Sequence, residues 1–318
     1  KTLDNLIFSL NATLPIFFTM LLGSFFKRVG LIDEAFSAKM NKFAFAVALP
    51  ALLFQDISAV DIRESWNGGF VLFCFIATFL SITGVTVLSF FVVKREERGE
   101  FVQGAYRSSA AILGIAFIQN IYGSSAMGPL MIVSAVPLYN IFSVIVLTFE
   151  ANDSTGIDKK AKIRQAGINI CKNPIILSIL AGLIVGLLGI QFPTLVNKTV
   201  SNVAQMATPL ALITIGAGFE GRKALAKIAP TMAASMIKLV IQPLIFLPVA
   251  VWMGFGGEKM IAILIMLASP TTPSCYIMAK SMNNDEVLTA SVIVTTTLMA
   301  AFTLTGWIFL LKTLGYIG

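Results

Sequence analysis

The chain has 318 residues, 57% hydrophobic and 12% charged, with 23 Lys and Arg against 16 Asp and Glu and no histidine. Soluble domains carry about 25% charged residues, so this composition, with a mean hydropathy of +0.86, excludes a soluble enzyme and describes an all-α polytopic membrane protein. Without histidine there is no Ser-His-Asp triad, HExxH motif or Cys/His zinc site, and Cys74, Cys171 and Cys275 are too far apart for a paired motif.

Apolar runs bounded by charges, Gly and Pro predict ten transmembrane helices. They run Leu6–Phe26, Asn41–Ile57, Gly68–Val93, Val102–Ile121, Ala126–Phe149, Pro174–Ile190, Val200–Phe219, Ile228–Met253, Lys259–Ala279 and Val287–Leu311. The first reads as a retained helix, because no small-residue cleavage site follows a short apolar stretch. Seventeen Lys and Arg, Arg107 among them, are counted with the loops after odd-numbered spans, and five on the opposite side. By the positive-inside rule both termini face away from the cytoplasm, and the net charge of +7 is an orientation signal, with no nucleic-acid partner expected.

Sliding the chain on itself by 159 residues places Pro15 on Pro174, Gly23 on Gly182, Gly30 on Gly189 and Pro50 on Pro209. The coincidence predicts two five-helix repeats, 1–149 and 173–318, joined by a cytoplasmic loop, 150–172. An odd number of spans per unit makes the second copy inverted, an arrangement typical of secondary transporters. Their sites lie on interrupted helices at corresponding places in the two halves. Spans 4 and 9 fit: Pro270 and Pro273 stand in mid-span 9, and Pro273 falls on Gly114 under the offset. Each proline removes a backbone donor and clashes with the preceding turn, so a continuous helix is not expected.

Half-helix N-termini carry unpaired N–H groups and the positive end of the macrodipole, which suits a carboxylate. The substrate-binding candidates are Ser109, Gly114, Ala116, Gln119, Asn120, Pro270, Thr271, Thr272, Ser274 and Tyr276, with Ser108 beside them. Lys238, inside span 8, is a candidate for neutralising freed carbonyls, for binding an anion, or for snorkelling to the interface. Asp56 is a candidate proton or cation site, and Asn140 an intramembrane hydrogen-bonding amide.

At spans 4 and 9 the chain resembles the auxin efflux carrier family, which includes plant auxin exporters and bacterial carriers assigned to malate and malonate. The pattern N-x-x-x-x-G-I-P followed by Y-G is met by Gly114, Ile115, Tyr122 and Gly123. It departs at Ser109, where Asn is usual, and at Ala116, where Pro is usual. The span 9 pattern is met by Ala268, Pro270, Ala279, Lys280 and Asn283. The resemblance implies a fold similar to bile-acid symporters and sodium/proton antiporters, with spans 4 and 9 crossing at the substrate site near Ser109, Ala116 and Pro270. The short central loop points to the bacterial type and its plasma membrane.

The expected function is secondary transport of a small organic anion by alternating access, malate, malonate, another dicarboxylate and an auxin-like acid all remaining open. The alternative is a membrane sensor that binds such an anion without translocating it. No enzymatic activity, cofactor or metal is expected beyond a coupling proton or sodium ion. The partners are the anion, the bilayer and, through scaffold helices, a second copy.

Overall fold

A computed structural model describes residues 2–59, 67–110, 118, 121–122, 127–150 and 167–317. Regular structure among them is entirely helical. Helix α1 (Thr2–Arg28) is followed by α2 (Glu34–Ser58), which runs through a π-helical turn at Ala44–Ala48, and by α3 (Gly68–Val92). Next come the half-helix α4 (Arg98–Tyr106), then α5 (Met127–Glu150), α6 (Pro174–Leu188) and α7 (Thr194–Gly218). Helix α8 (Ile228–Trp252) contains a second π-turn at Ile237–Ile241. The half-helix α9 (Glu258–Ala268), the short α10 (Ser274–Ser281) and the long α11 (Glu286–Thr313) follow, and a six-residue helix, Gly221–Ala226, lies between α7 and α8.

Local chemistry sets the helix starts. Asp33, Asn67, Asn173 and Asp285 each accept a bond from a first-turn backbone N–H, from Phe36, Phe70, Ile175 and Val287 respectively. Pro174 occupies the first turn of α6, where its missing donor costs nothing, and Gly189 ends that helix with φ +65°.

Six of these helices are long and apolar enough to cross a membrane, namely α2, α3, α5, α7, α8 and α11. Their outward faces are apolar: Leu72, Phe75, Phe79 and Phe91 of α3 are exposed on the helix whose opposite face buries Phe70, Cys74, Ala77 and Ile82. A helix apolar all round is stable where both core and lipid surround it.

Two helix pairs approach closely. α1 lies on α7 so tightly that a Cβ on Gly216 would fall 1.8 Å from the Met20 carbonyl oxygen, and one on Gly23 would fall 2.2 Å from that of Ile213. α6 lies on α2 in the same way, with Gly182 against the carbonyl of Phe54 and Gly186 against that of Ile57. Small residues let backbones meet where lipid offers no hydrophobic drive to pair them.

Helical structure breaks at 269–273, where the paired prolines predicted it, and at 107–109, ahead of the Gly114 position expected from the offset. Gly114, Ala116, Gln119 and Asn120, expected at the fourth-span break, lie outside the described residues.

Candidate functional site

The half-helices α4 and α9 start at opposite ends of the molecule. Around α4's first turn lie Lys227, just before α8, and Asp285, just before α11. The start of α9 is bound instead to the far end of α11, through Gly257 N–H to the Tyr316 carbonyl at 2.8 Å. Nine and eleven residues at 1.5 Å each carry them about 13 and 16 Å inward, together close to a hydrocarbon thickness of about 30 Å. Their C-terminal ends meet, with the carbonyls of Tyr106 and Leu267 on one ammonium, that of Lys238. There the Ser109 N–H donates to the Pro270 carbonyl at 2.9 Å, joining one interruption to the other.

A helix end leaves carbonyls without intrahelical donors, and each must find one. At this junction side chains supply five of them. Lys238 Nζ donates to the carbonyls of Leu267 at 2.7 Å and Tyr106 at 3.3 Å, and to the Ser108 hydroxyl. Gln242 supplies Ala105 at 2.9 Å, Thr271 Oγ1 supplies Gly104 at 2.7 Å, and Tyr139 OH supplies Met266 at 2.9 Å. The Thr271 N–H is taken by Thr296 Oγ1 at 3.1 Å. Lys238 is wholly buried, which removes the snorkelling alternative.

Beside the junction opens a narrow cleft, about 540 Å³ of empty space with its mouth included. Its walls come from α2 (Leu49, Leu53, Asp56), from 107–110, from α5 (Val136, Tyr139, Asn140), from α7 (Ala207, Thr208) and from Thr272, Ser274 and Ile277. Arg107 is 2% exposed and spreads its guanidinium along this wall. Nη2 donates to Asn140 Oδ1 at 2.8 Å and to Ser274 Oγ at 2.7 Å, and Nη1 to Ser143 Oγ at 3.3 Å and to the Met278 sulfur. Every one of these acceptors is neutral.

Of the candidates read from the sequence, Ser108, Ser109, Thr272, Ser274, Asp56 and Asn140 line the cleft together. Pro270, Thr271 and Lys238 belong to the junction behind it, bonded to backbone. Tyr276 points elsewhere: it is buried against α7, donates to the Thr214 carbonyl at 3.4 Å and accepts from Lys280 Nζ at 3.2 Å. Its helical position sets it on the face of α10 away from Ser274 and Ile277.

Arg107 is the residue that sequence reasoning missed. Counting it with the loop cations misplaces it, since it is buried at the junction. The signal was present, because Arg107 lies inside the expected span Val102–Ile121, where a charge costs on the order of 3 kcal/mol without a reason to be there.

The family model for membrane transport proteins matches residues 8–308, nearly the whole chain. The chain belongs to this family, that of the auxin efflux carriers. Among its relatives is the "Uncharacterized transporter YfdV" of Escherichia coli K12, 25% identical over 87% of this chain and 90% of that protein. Another is the "Putative malonate transporter" of Rhizobium meliloti, 24% identical over 94% of each. A third, an "Uncharacterized transporter" of Methanothermobacter thermautotrophicus, is 22% identical over 94% of this chain and 97% of its own length. An auxin efflux carrier family member with these apolar helices is an integral, multi-pass membrane transporter.

Proposed function

We propose that this protein is a secondary transporter of a small organic anion, a carboxylate of the size of malonate or malate, working by alternating access. The observation that carries the reading is the junction itself. Two interrupted helices are bonded to each other at Ser109 and Pro270, and a cleft with a buried cation in its wall opens beside them. Broken helices at membrane depth are tolerated where they are packed in protein or line a wet cavity, and transporters place their substrates there. The malonate in a relative's name supports the substrate class.

Packing supports the inverted five-helix repeats 1–149 and 173–318. Gly23 meets Ile213 and Gly182 meets Phe54, and adding 159 to Gly23 and Phe54 gives Gly182 and Ile213. One contact is thus the image of the other under the offset found in the sequence. In this reading α1, α2, α6 and α7 form a scaffold, and the remaining helices carry the junction past it. A plasma-membrane setting with both termini outside the cytoplasm, coupling to a proton or sodium ion, and a dimer built through the scaffold complete the proposal.

Uptake of labelled malonate, malate and indole-acetate into proteoliposomes, with proton, sodium and potassium-diffusion gradients imposed singly, tests it. We expect saturable uptake of one acid driven by one gradient. Pro270→Leu, which removes the break-forming proline beside the Ser109 contact, should lower the initial rate by about tenfold or more while the purified protein stays monodisperse. Equal uptake by empty and protein-containing vesicles for all three acids would overturn the reading.

A further inference from the structure

Resting on the carboxylate-carrier reading, we infer that Arg107 is the side chain that receives the substrate's carboxylate, and that Lys238, close by, is a fixed structural cation. The two buried cations are separated by how their charges are met. The Lys238 ammonium has three donors, and the carbonyls of Tyr106, Met266 and Leu267 and the Ser108 hydroxyl surround it. Those carbonyls end α4 and α9, so two C-terminal macrodipoles, each equivalent to about half a negative charge, converge on one ammonium and offset it. Lys238 also lies behind the cleft wall rather than on it.

Among the described residues nothing offsets Arg107 in this way. Among the described residues no carboxylate comes within ion-pairing distance of it, although Asp56 lines the same cleft from α2. Its acceptors are an amide oxygen, two hydroxyls and a thioether sulfur, the last a weak acceptor. Its Nε has no partner. One of its hydroxyl acceptors, Ser274, opens α10, whose N-terminal dipole end is itself positive. A second group awaits a partner on the same wall: Ser109 Oγ is unbonded, on a residue only 4% exposed.

A buried guanidinium is ordinarily stabilised by a carboxylate, most strongly through two parallel N–H···O bonds. Among the described residues no such carboxylate is supplied; the four Nη–H groups rest on neutral acceptors that an anion can displace, Nε–H has none, and Arg107 lines the cleft. A carboxylate there would meet the guanidinium and the Ser109 hydroxyl, with Thr272 and Ser274 adjoining. The narrowness of the cleft limits the ligand to a small mono- or dicarboxylate.

Calorimetric titration of the purified full-length chain with malonate, and with malonamide as the uncharged control, tests the assignment. Wild type should bind malonate and not malonamide. In Arg107→Gln the malonate Kd should rise at least about thirtyfold, as truncating one side of a buried charged pair does. Arg107→Lys keeps the charge without the fork, so its Kd should rise about tenfold with the melting temperature of the empty protein little changed. It decides the matter if the glutamine variant does not fold. A Kd within about twofold of wild type in either folded variant overturns the role of Arg107 while leaving the carrier reading intact. A wild-type chain that binds none of malonate, malate and indole-acetate removes the carrier reading, and this inference with it.

Discussion

At the scale of single residues, the site turns on two buried cations placed by different physics. Lys238 answers a backbone need, since two half-helices ending together leave carbonyls that only a donor from α8 reaches. Lys238→Met would leave those of Tyr106 and Leu267 short of donors at a cost on the order of 3 kcal/mol. We expect a melting temperature several degrees lower, read by thermal unfolding in detergent, whether or not malonate is present. An unchanged melting temperature would mean that the junction holds without its clamp. Arg107 answers no backbone need, and among the described residues it bonds only to neutral groups; that asymmetry points to a ligand.

Helices pack by the same economy of small residues. Gly216 and Gly23 set α7 against α1 with carbonyls where a Cβ would otherwise stand. Gly216→Ala should therefore force the two helices apart and lower the melting temperature markedly, with loss of folded yield the extreme result. Gly84 in α3 is the control: nothing lies within 4 Å of the Cβ it would gain. Gly84→Ala should be neutral or stabilising by up to about 1 kcal/mol, because alanine loses less backbone freedom in a helix. Equal effects of the two would show that contact distance does not govern these helices. The π-turns belong to this scale too. The one at Ile237–Ile241 holds Lys238 itself, and the Leu239 carbonyl within it is taken by Trp307 Nε1 at 2.9 Å.

Across the whole molecule, one polar cluster ties together the starts of α4, α8 and α11. Lys227 pairs with Glu97 and with Asp285, the latter at 3.1 Å, and Glu100 Oε1 accepts the Asp285 N–H at 2.5 Å. Glu100 precedes the expected span Val102–Ile121 and is 1% exposed. Glu100→Gln, which weakens the charge-assisted bond from the Asp285 N–H that ties α4 to α11, should lower the melting temperature measured in detergent, and an unchanged value would remove that tie.

Much was legible from the sequence alone because membranes restrict backbones so severely. Long apolar runs read directly as helices, since no other lipid-exposed element satisfies its own peptide groups. Paired prolines mark the interruption at 269–273, because proline sterics act within a few residues. The sequence alone could not sort the polar residues near those breaks. Ser109, Thr272 and Ser274 face the cleft, whereas Thr271 and Tyr276, interleaved with them, bond to α4 and α7. Only the crossing of helices distant in sequence brings Arg107 to Asn140 and Ser274, and Lys238 to Tyr106 and Leu267. The sequence determined that the chain is built of long apolar helices and that one interruption falls at the prolines of 269–273; tertiary structure alone decided which buried charge is already balanced, because balance depends on partners that the chain brings together only by folding.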